Sequence, residues 1–203
     1  SMQKRRLHII RDTREQDGFT FQSGFDPAPI VTVAGLATGD YSIAGYIPPH
    51  RTEEQDDGRE YRPPSVAVER KSLPDLMGCM GRGRERFQRE LRRLKELTSA
   101  CVVVEEPMSA IRAGHYRAQI DPETAVQTVI SWQQAYGVPF IFCASKDEAE
   151  RVAFDFLRHF AIHRAREWRE LSKAWDSAMA AASGDLGENG GLTCTTSEEG
   201  EKE

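Results

Sequence analysis

The chain is organised around Val66-Ala67-Val68-Glu69-Arg70-Lys71-Ser72-Leu73-Pro74-Asp75. This stretch predicts a strand that runs directly into a helix, because valines alternate at its start and Ser72 followed by Pro74 is typical of a helix N-terminus. Strand residues two apart point to the same side of a sheet, so Glu69 and Lys71 share a face, about 6–7 Å apart along the strand. Such a pair beside a helix N-terminus suits metal-assisted attack on a phosphodiester. Taken alone, however, these residues are more often a strand end with an ion pair.

The rest of the sequence predicts an α/β fold. Further short strands are expected at residues 7–10, 30–33, 39–43, 100–105 and 138–143. Helices are expected at residues 73–80, 85–98 and 121–136, and from a capping box at 145–148 to the 178–182 region. Strands first, and then strands that alternate with helices, predict a mixed central β-sheet flanked by helices.

Two polar segments are expected to lie outside this core. Residues 48–64 are bounded by two Pro-Pro pairs and predict a flexible hairpin insertion. Residues 184–203 hold six acids and one base among Gly, Ser and Thr, which predicts a disordered acidic tail. We therefore expect one folded domain over residues 2–183.

The net charge of −5 conceals two basic segments. Without the acidic tail, acids and bases balance, but residues 82–96 carry seven bases against three acids, and residues 158–173 carry five against two. Concentrated basic helices in a neutral body are compatible with binding phosphates in one groove. Two solvated amphipathic helices are the alternative.

The cysteines and the hydropathy favour a cytosolic protein. The four cysteines show no metal-binding spacing, and Cys101 and Cys143 lie in apolar runs typical of buried thiols. No run approaches about 18 apolar residues, and the N-terminal sequence lacks the apolar core of a signal peptide. We expect a cytoplasmic location (nucleoid-associated in a bacterium) and no membrane contact.

Three acids, Asp12, Asp40 and Glu69, are expected at strand ends, which favours an oxygen-rich site for Mg²⁺ and not a zinc site. Around them the chain resembles the XPF-type nuclease domain, the branch of the PD-(D/E)XK superfamily with the signature GD…ERK…D. The likeness covers about residues 7–160. It is carried in order by Asp12-Thr13-Arg14-Glu15, Gly39-Asp40-Tyr41, Val68-Glu69-Arg70-Lys71-Ser72 with Asp75, and Gly83 with Arg86 and Phe87.

The resemblance implies a restriction-endonuclease-like core that hydrolyses DNA, on branched or single-strand-containing substrates in repair or recombination. Asp40 and Glu69 would bind Mg²⁺, or Mn²⁺ in its place, together with the backbone carbonyl of Arg70. Lys71 would position or activate the attacking water. Asp12 would complete the acidic cluster, directly or through water.

The resemblance also implies roles for basic residues. Arg14, Arg70 and Arg86 would bind phosphates or hold the carboxylates in place, and Arg82 and Arg89 of the basic segment are expected to bind DNA with them. The motif leaves the roles of two acids open. Asp75 is either catalytic or part of the helix cap set by Ser72, and Glu15 is similarly ambiguous. Glu90, or alternatively Gln88, stands where relatives carry Gln.

Other interpretations stay open at this point. A catalytically inactive scaffold of the same fold would bind DNA without cutting it. The pair His159 and His163, four residues apart, suits metal ligation or a solvated basic face. Relatives pair through this domain, so a homodimer or a related nuclease partner is expected. An apolar set suits either that pairing or ordinary core packing: Phe154, Phe156, Leu157 and Phe160.

Overall fold

The structure is a computed structural model that describes residues 6–50 and 63–185. The chain forms two compact units, one ending at Ala161 and the other beginning at Ile162. The predicted hairpin insertion falls mainly on residues 51–62, and most of the predicted acidic tail falls on residues 186–203; both lie outside the described residues.

The first unit is built on a six-stranded sheet. Its strands are β1 (His8–Arg11), β2 (Ile30–Val33), β3 (Tyr41–Ile43), β4 (Val66–Lys71), β5 (Ser99–Val104) and β6 (Phe140–Phe142). They lie in the order β2-β1-β3-β4-β5-β6. Strand β3 is antiparallel to β1 and β4, whereas β1–β2, β4–β5 and β5–β6 pair in parallel. The predicted mixed sheet is thus confirmed.

Five helices accompany these strands in the described part of the chain: α1 (Leu73–Met80), α2 (Arg84–Lys95), α3 (Met108–Arg112), α4 (Pro122–Tyr136) and α5 (Lys146–Asp185). The amide of Glu148 donates to Ser145 Oγ, so the predicted cap of α5 forms. Helix α5 continues to Asp185, past the start of the predicted tail at residue 184, and its part from Ile162 onward forms the second unit. None of the described helices is long and apolar enough to cross a membrane.

Helices cover both faces of β4, which explains its uninterrupted apolar start. Ala67 faces a core formed with α1, α2 and α4, in which Trp132 packs edge-on against Phe87 with ring centroids 5.3 Å apart. Val66 and Val68, on the alternate face, pack in a second core with the N-terminal part of α5. Strand β4 is therefore held from both sides, and its polar end residues leave this core at a defined position.

A left-handed turn leads into β3. Sequence analysis predicted this strand from Gly39, but it begins at Tyr41, because Gly39 has a φ of +76° that an extended strand cannot adopt. A Cβ atom added at Gly39 would lie 2.7 Å from the Cβ of Ala67 on β4. Only glycine lets this turn approach β4 so closely.

The turn gives a first prediction, with Gly45 as its matched control. Gly45 also has a positive φ, +88°, but a Cβ there would meet nothing within 4 Å. We expect Gly45→Ala to cost about 1–2 kcal/mol of unfolding free energy from backbone strain alone. Gly39→Ala should cost about 2–5 kcal/mol, because overpacking against Ala67 adds about 1–3 kcal/mol. Urea unfolding of both variants measures the difference, and equal losses would show that the contact with Ala67 is unimportant.

Candidate functional site

The end of β4 lies beside the turn that precedes β3. The amide of Asp40 donates to the Val68 carbonyl at 2.9 Å, and the Arg70 amide donates to Asp40 Oδ2 at 2.7 Å. The N–H and C=O groups of one strand residue point to the same side, so the Arg70 carbonyl also faces the side where Asp40 lies. The two carboxylates and the carbonyl predicted to bind metal therefore come from directly adjacent backbone segments.

Glu69 and Lys71 share one face of the sheet, as their spacing predicts. Lys71 Nζ donates to Glu69 Oε1 at 2.5 Å. The ammonium group also lies 5.1 Å from the ring centroid of Phe87 on α2, in a cation–π contact. Glu69 is buried, with 7% of its surface exposed, whereas Asp40 is partly buried. Asp40 and Glu69 thus lie at the margin of the core. The ion pair between Glu69 and Lys71 is likewise largely buried.

The electrostatics of this pair favour a bound cation. Burial, and then the charge of Glu69, raise the pKa of Asp40 well above its ordinary value. Burial also raises the pKa of Glu69, although Lys71 opposes the shift. The pKa of Lys71 is raised despite burial, because the charge of Glu69 and its hydrogen bond favour the ammonium form. A divalent cation would relieve the repulsion between the carboxylates, and their hard oxygens suit Mg²⁺ or Mn²⁺.

The ligand set is small. Within residues 6–50 and 63–185, no group of three or more His, Cys, Asp or Glu side chains is arranged to hold a metal ion. Asp40, Glu69 and the Arg70 carbonyl would hold such an ion, and water and substrate would supply its other ligands, as is common for Mg²⁺.

Asp12 lies nearby with a different set of partners. Its side chain is buried, and its carboxylate accepts from the amide and Nε of Arg14 at 2.9 and 2.6 Å and from the amide of Leu36 at 2.6 Å. Its own amide donates to the Asp40 carbonyl at 2.8 Å. Burial would raise the pKa of Asp12, but these bonds hold it below its ordinary value. Asp12 thus ties the end of β1 to Asp40, and its predicted contact with metal, direct or through water, stays a prediction.

Arg70 lies on the opposite face of the sheet from Glu69 and Lys71. Its side chain is 13% exposed, lies over the ring of Phe19, and pairs with Glu105 at 2.6 Å and Glu15 at 3.0 Å. The position of Arg70 therefore does not support contact with phosphate, because carboxylates surround its guanidinium group. Arg70 was predicted either to bind phosphate or to hold the carboxylates of the site in place. It does hold carboxylates, but they are those of Glu15 and Glu105. Glu15, whose role the motif left open, is therefore an ion-pair partner of Arg70.

The other predicted DNA-binding arginines are exposed. Arg14 keeps 68% of its side chain exposed while it binds Asp12. Arg86 and Arg89, three apart on α2, lie on one side of that helix, and Arg82 precedes it in the turn. Burial raises the pKa of Cys79, and the charges of Lys71 and Arg86 both oppose that shift. Arg86 is therefore close enough to act on the same buried thiol as Lys71.

Glu90 holds the turn before β3, a role that sequence analysis did not assign. Its carboxylate accepts from Thr38 Oγ1, from the amide of Gly39 at 3.1 Å and from Arg93. Burial would raise the pKa of Glu90, but these three bonds lower it overall, so the group is a charged acceptor. The sequence feature that could have indicated this role is the position of Glu90, three residues after Phe87 and so beside the apolar face of α2.

The remaining candidates have structural roles. Ser72 Oγ accepts from the Asp75 amide at 3.3 Å and donates to Asp75 Oδ2 at 2.8 Å, so Asp75 belongs to the cap of α1. His159 and His163 are exposed on α5 and join no three-ligand group in the described part. In the apolar set predicted for pairing, Phe154, Leu157 and Phe160 are buried in the core. Phe156 is half-buried.

Comparisons with known proteins identify a matching family and a similar fold. The model of the ERCC4 domain family matches residues 12–156. Among solved structures, XPF from Aeropyrum pernix is similar with a TM-score of 0.54 and 17% identity, over 74% of this chain and 60% of that one. A second structure of XPF from Aeropyrum pernix, in complex with DNA, gives 0.53 and 18%, over 77% and 66%. This chain therefore spans less than two thirds of each structure. No curated protein matches the sequence.

Glu90 generates a second prediction. We expect Glu90→Ala to weaken Mn²⁺ binding about 10–100-fold, because residues that orient metal ligands have effects of this size. Glu90→Gln keeps one acceptor oxygen for Gly39 and should retain more of the affinity. Glu85→Ala, a change at an exposed acid on the same helix, is the control and should bind Mn²⁺ normally. Calorimetric titration measures all four proteins; equal affinity of Glu90→Ala and wild type would remove the positioning role.

Proposed function

We propose that this chain, which belongs to the ERCC4 domain family and has the fold of an XPF-type nuclease domain, is a metal-dependent DNA endonuclease that hydrolyses phosphodiester bonds. The observation that carries the proposal is that Asp40 and Glu69 lie close enough at the end of β4 for burial and the charge of Glu69 to raise the pKa of Asp40, with Lys71 donating to Glu69 at 2.5 Å. The substrates we propose are branched or single-strand-containing DNA in repair or recombination. We also propose a cytoplasmic location, from the free thiols.

Asp40, Glu69 and the Arg70 carbonyl would hold Mg²⁺, with Mn²⁺ as a substitute. Such an ion would polarise a phosphoryl oxygen of the substrate and lower the pKa of a bound water. The Arg70 amide fixes one oxygen of Asp40 by its bond to Oδ2, so Oδ1 would be the oxygen that binds the ion.

Lys71 acts through its charge. Burial opposes the shift, but the charge and hydrogen bond of the neighbouring Glu69 raise the pKa of the ammonium group above its ordinary value, so Lys71 is protonated while no metal is bound. A protonated lysine cannot accept a proton from the attacking water. It can orient that water by hydrogen bonding and offset the negative charge that develops on the phosphate. Of the two predicted roles, positioning of the water is the one that the ammonium form can perform.

The DNA backbone would reach this centre along exposed arginines. Arg82, Arg86 and Arg89 lie on and just before α2, the helix whose Phe87 contacts Lys71 and whose Glu90 holds the turn before Asp40. Arg14 adds an exposed guanidinium beside Asp12. Cations in this position would attract phosphates to a site whose own carboxylates repel them.

A DNA-binding scaffold without catalytic activity is the alternative. In its favour, no group of three or more His, Cys, Asp or Glu side chains within the described residues is arranged to hold a metal ion. Against it, a buried acidic pair is costly to maintain, and a protein that only binds DNA gains nothing from it. Cleavage separates the two proposals, because a scaffold would bind branched, single-stranded and duplex DNA and cut none of them.

The acidic pair gives a third prediction. With Mg²⁺, we expect Glu69→Gln and Asp40→Asn to lower cleavage of labelled flap, fork, single-stranded and duplex DNA by at least about 10³-fold, because the ion contributes several kcal/mol to the transition state. DNA binding and the unfolding transition should persist. Asp75→Ala, which changes only the cap of α1, should cut within a few-fold of wild type. An Asp40→Ala protein that cut at the wild-type rate would refute the site.

The arginines give a fourth prediction. Each phosphate contact contributes about 0.9 to the slope of log affinity against log salt concentration on duplex DNA, and about 0.7 on single strands. Arg86→Ala should therefore lower that slope by about one contact and weaken binding to every sequence alike. Arg117→Ala, at an exposed arginine in the α3–α4 connection, is the control and should keep the slope. Fluorescence anisotropy from about 50 to 200 mM salt measures both; an unchanged slope for Arg86→Ala would exclude the contact.

A further inference from the structure

Glu105 is a buried acid at the end of β5, outside the proposed set of metal ligands. It follows directly after Val104 and keeps only 8% of its surface exposed. Its carboxylate accepts from Arg70 Nε at 2.6 Å, and its amide donates to the Lys71 carbonyl at 3.0 Å. Both the side chain and the backbone of Glu105 are therefore bonded to the end of β4, the strand that carries Glu69.

Arg70 takes part in the proposed site only through its backbone. Its amide donates to Asp40 Oδ2 at 2.7 Å, and its carbonyl, on the same side as that amide, is a proposed metal ligand. Its side chain lies on the other face of the sheet, where it is 13% exposed. The orientation of the backbone at residue 70 therefore affects two of the proposed ligands, the Asp40 carboxylate and the Arg70 carbonyl.

The guanidinium group of Arg70 is bonded in two directions. Nε donates to Glu105 at 2.6 Å, Nη1 donates to Glu15 at 3.0 Å, and the group lies over the ring of Phe19. Burial would lower the pKa of Arg70, but the hydrogen bond and charge of Glu105, and then the charge of Glu15, raise it. Because a guanidinium is planar and its N–H bonds point in fixed directions, two acceptors define its orientation more closely than one does.

The charges around Arg70 exceed what stability requires. One guanidinium faces two carboxylates, whose side chains are 10% exposed for Glu15 and 9% exposed for Glu105. A single carboxylate would neutralise Arg70, and a second buried carboxylate adds a further desolvation cost. The second carboxylate is explained if the direction of the Arg70 side chain, and not only its charge, has a function.

We propose that Glu105 is a positioning residue for the metal site. By holding the Arg70 side chain, it fixes the backbone at residue 70 in the orientation in which the amide binds Asp40 and the carbonyl faces the ion. Glu105 acts through Arg70 and does not touch the ion, because alternation along β5 places it, like Val103, on the face opposite Glu69. The inference rests on the proposed metal-dependent function.

Calorimetric titration of the full chain with Mn²⁺ tests this role. Glu105→Asp keeps the charge but is one methylene shorter, so its carboxylate no longer reaches Arg70 Nε. Glu105→Gln keeps the length but loses the charge. We expect both variants to bind Mn²⁺ about 10–100-fold more weakly than wild type, because residues that orient metal ligands have effects of this size. A general loss of negative charge would weaken only Glu105→Gln.

Glu106→Gln is the matched control. The carboxylate of Glu106 accepts from the Leu73 amide at 2.8 Å, and glutamine keeps an acceptor oxygen for that bond. Burial raises the pKa of Glu106, and the charges of Glu105 and Arg70 also act on it, so this acid lies in similar electrostatic surroundings. We expect Glu106→Gln to bind Mn²⁺ like wild type.

Hydrogen exchange without metal separates positioning from a general loss of structure. In Glu105→Asp the Arg70 amide should exchange faster than in wild type, because its bond to Asp40 is loosened. The Val102 amide, which donates to the Pro139 carbonyl at 2.9 Å, should exchange at the wild-type rate, and the thermal midpoint should persist. Arg70→Lys keeps a cation but loses the planar fork, and it should give the same result.

The outcomes separate this inference from the proposed function. Wild type that binds no Mn²⁺ would refute the metal site, and this inference with it. If wild type binds Mn²⁺ and Glu105→Asp binds it equally tightly, the positioning role alone is overturned. The same holds if the Arg70 amide exchanges at the wild-type rate in both Glu105→Asp and Arg70→Lys.

Discussion

The site depends on placing two carboxylates next to each other at the margin of the protein core. Asp40 and Glu69 repel each other, and burial raises the pKa of both. A pair of this kind persists only when the surrounding structure forces it, because each charge would be more stable in water. Here β4, which helices cover on both faces, fixes the position of Glu69. The hydrogen bond from the Asp40 amide to the Val68 carbonyl holds Asp40 next to it. The free energy of the folded core thus maintains an arrangement that is unfavourable by itself.

Three groups with no direct place in the acidic pair hold Asp40 in position. The Asp12 amide binds the Asp40 carbonyl, the Glu90 carboxylate binds the Gly39 amide, and the glycine permits close approach to β4. Asp12 and Glu90 are themselves acids, but each accepts bonds from an arginine and from a backbone amide, which lower its pKa. Four acids in this region therefore divide into two kinds. Asp12 and Glu90 each bind an arginine, whereas Asp40 and Glu69 are the pair for which we propose a bound cation.

Period-two alternation predicted much of this site from sequence, and it also explains what was missed. It correctly placed Glu69 and Lys71 on one face. Applied to the residue between them, it places Arg70 on the other face, beside Glu15 and Glu105; the compact Glu-Arg-Lys motif suggested instead that all three serve one site. Glu90 could not be predicted in the same way. Two of its partners, Thr38 and Gly39, lie about 50 residues earlier in the chain, so its role exists only once α2 packs near the turn before β3.

The division of the acids also bears on how DNA would approach. Without metal, Asp40 and Glu69 oppose a phosphate, and Lys71 is already committed to Glu69 by its hydrogen bond. The proposed divalent ion would offset this repulsion at the same oxygens, and part of the Lys71 charge would then be available to the phosphate. The arginines of α2 do not depend on the ion, because they are exposed and lie along the helix outside the pair. In the proposed mechanism, attraction to the DNA backbone and alignment of the scissile phosphate would be separate functions of different residues. The first would operate without metal, whereas the second would require it.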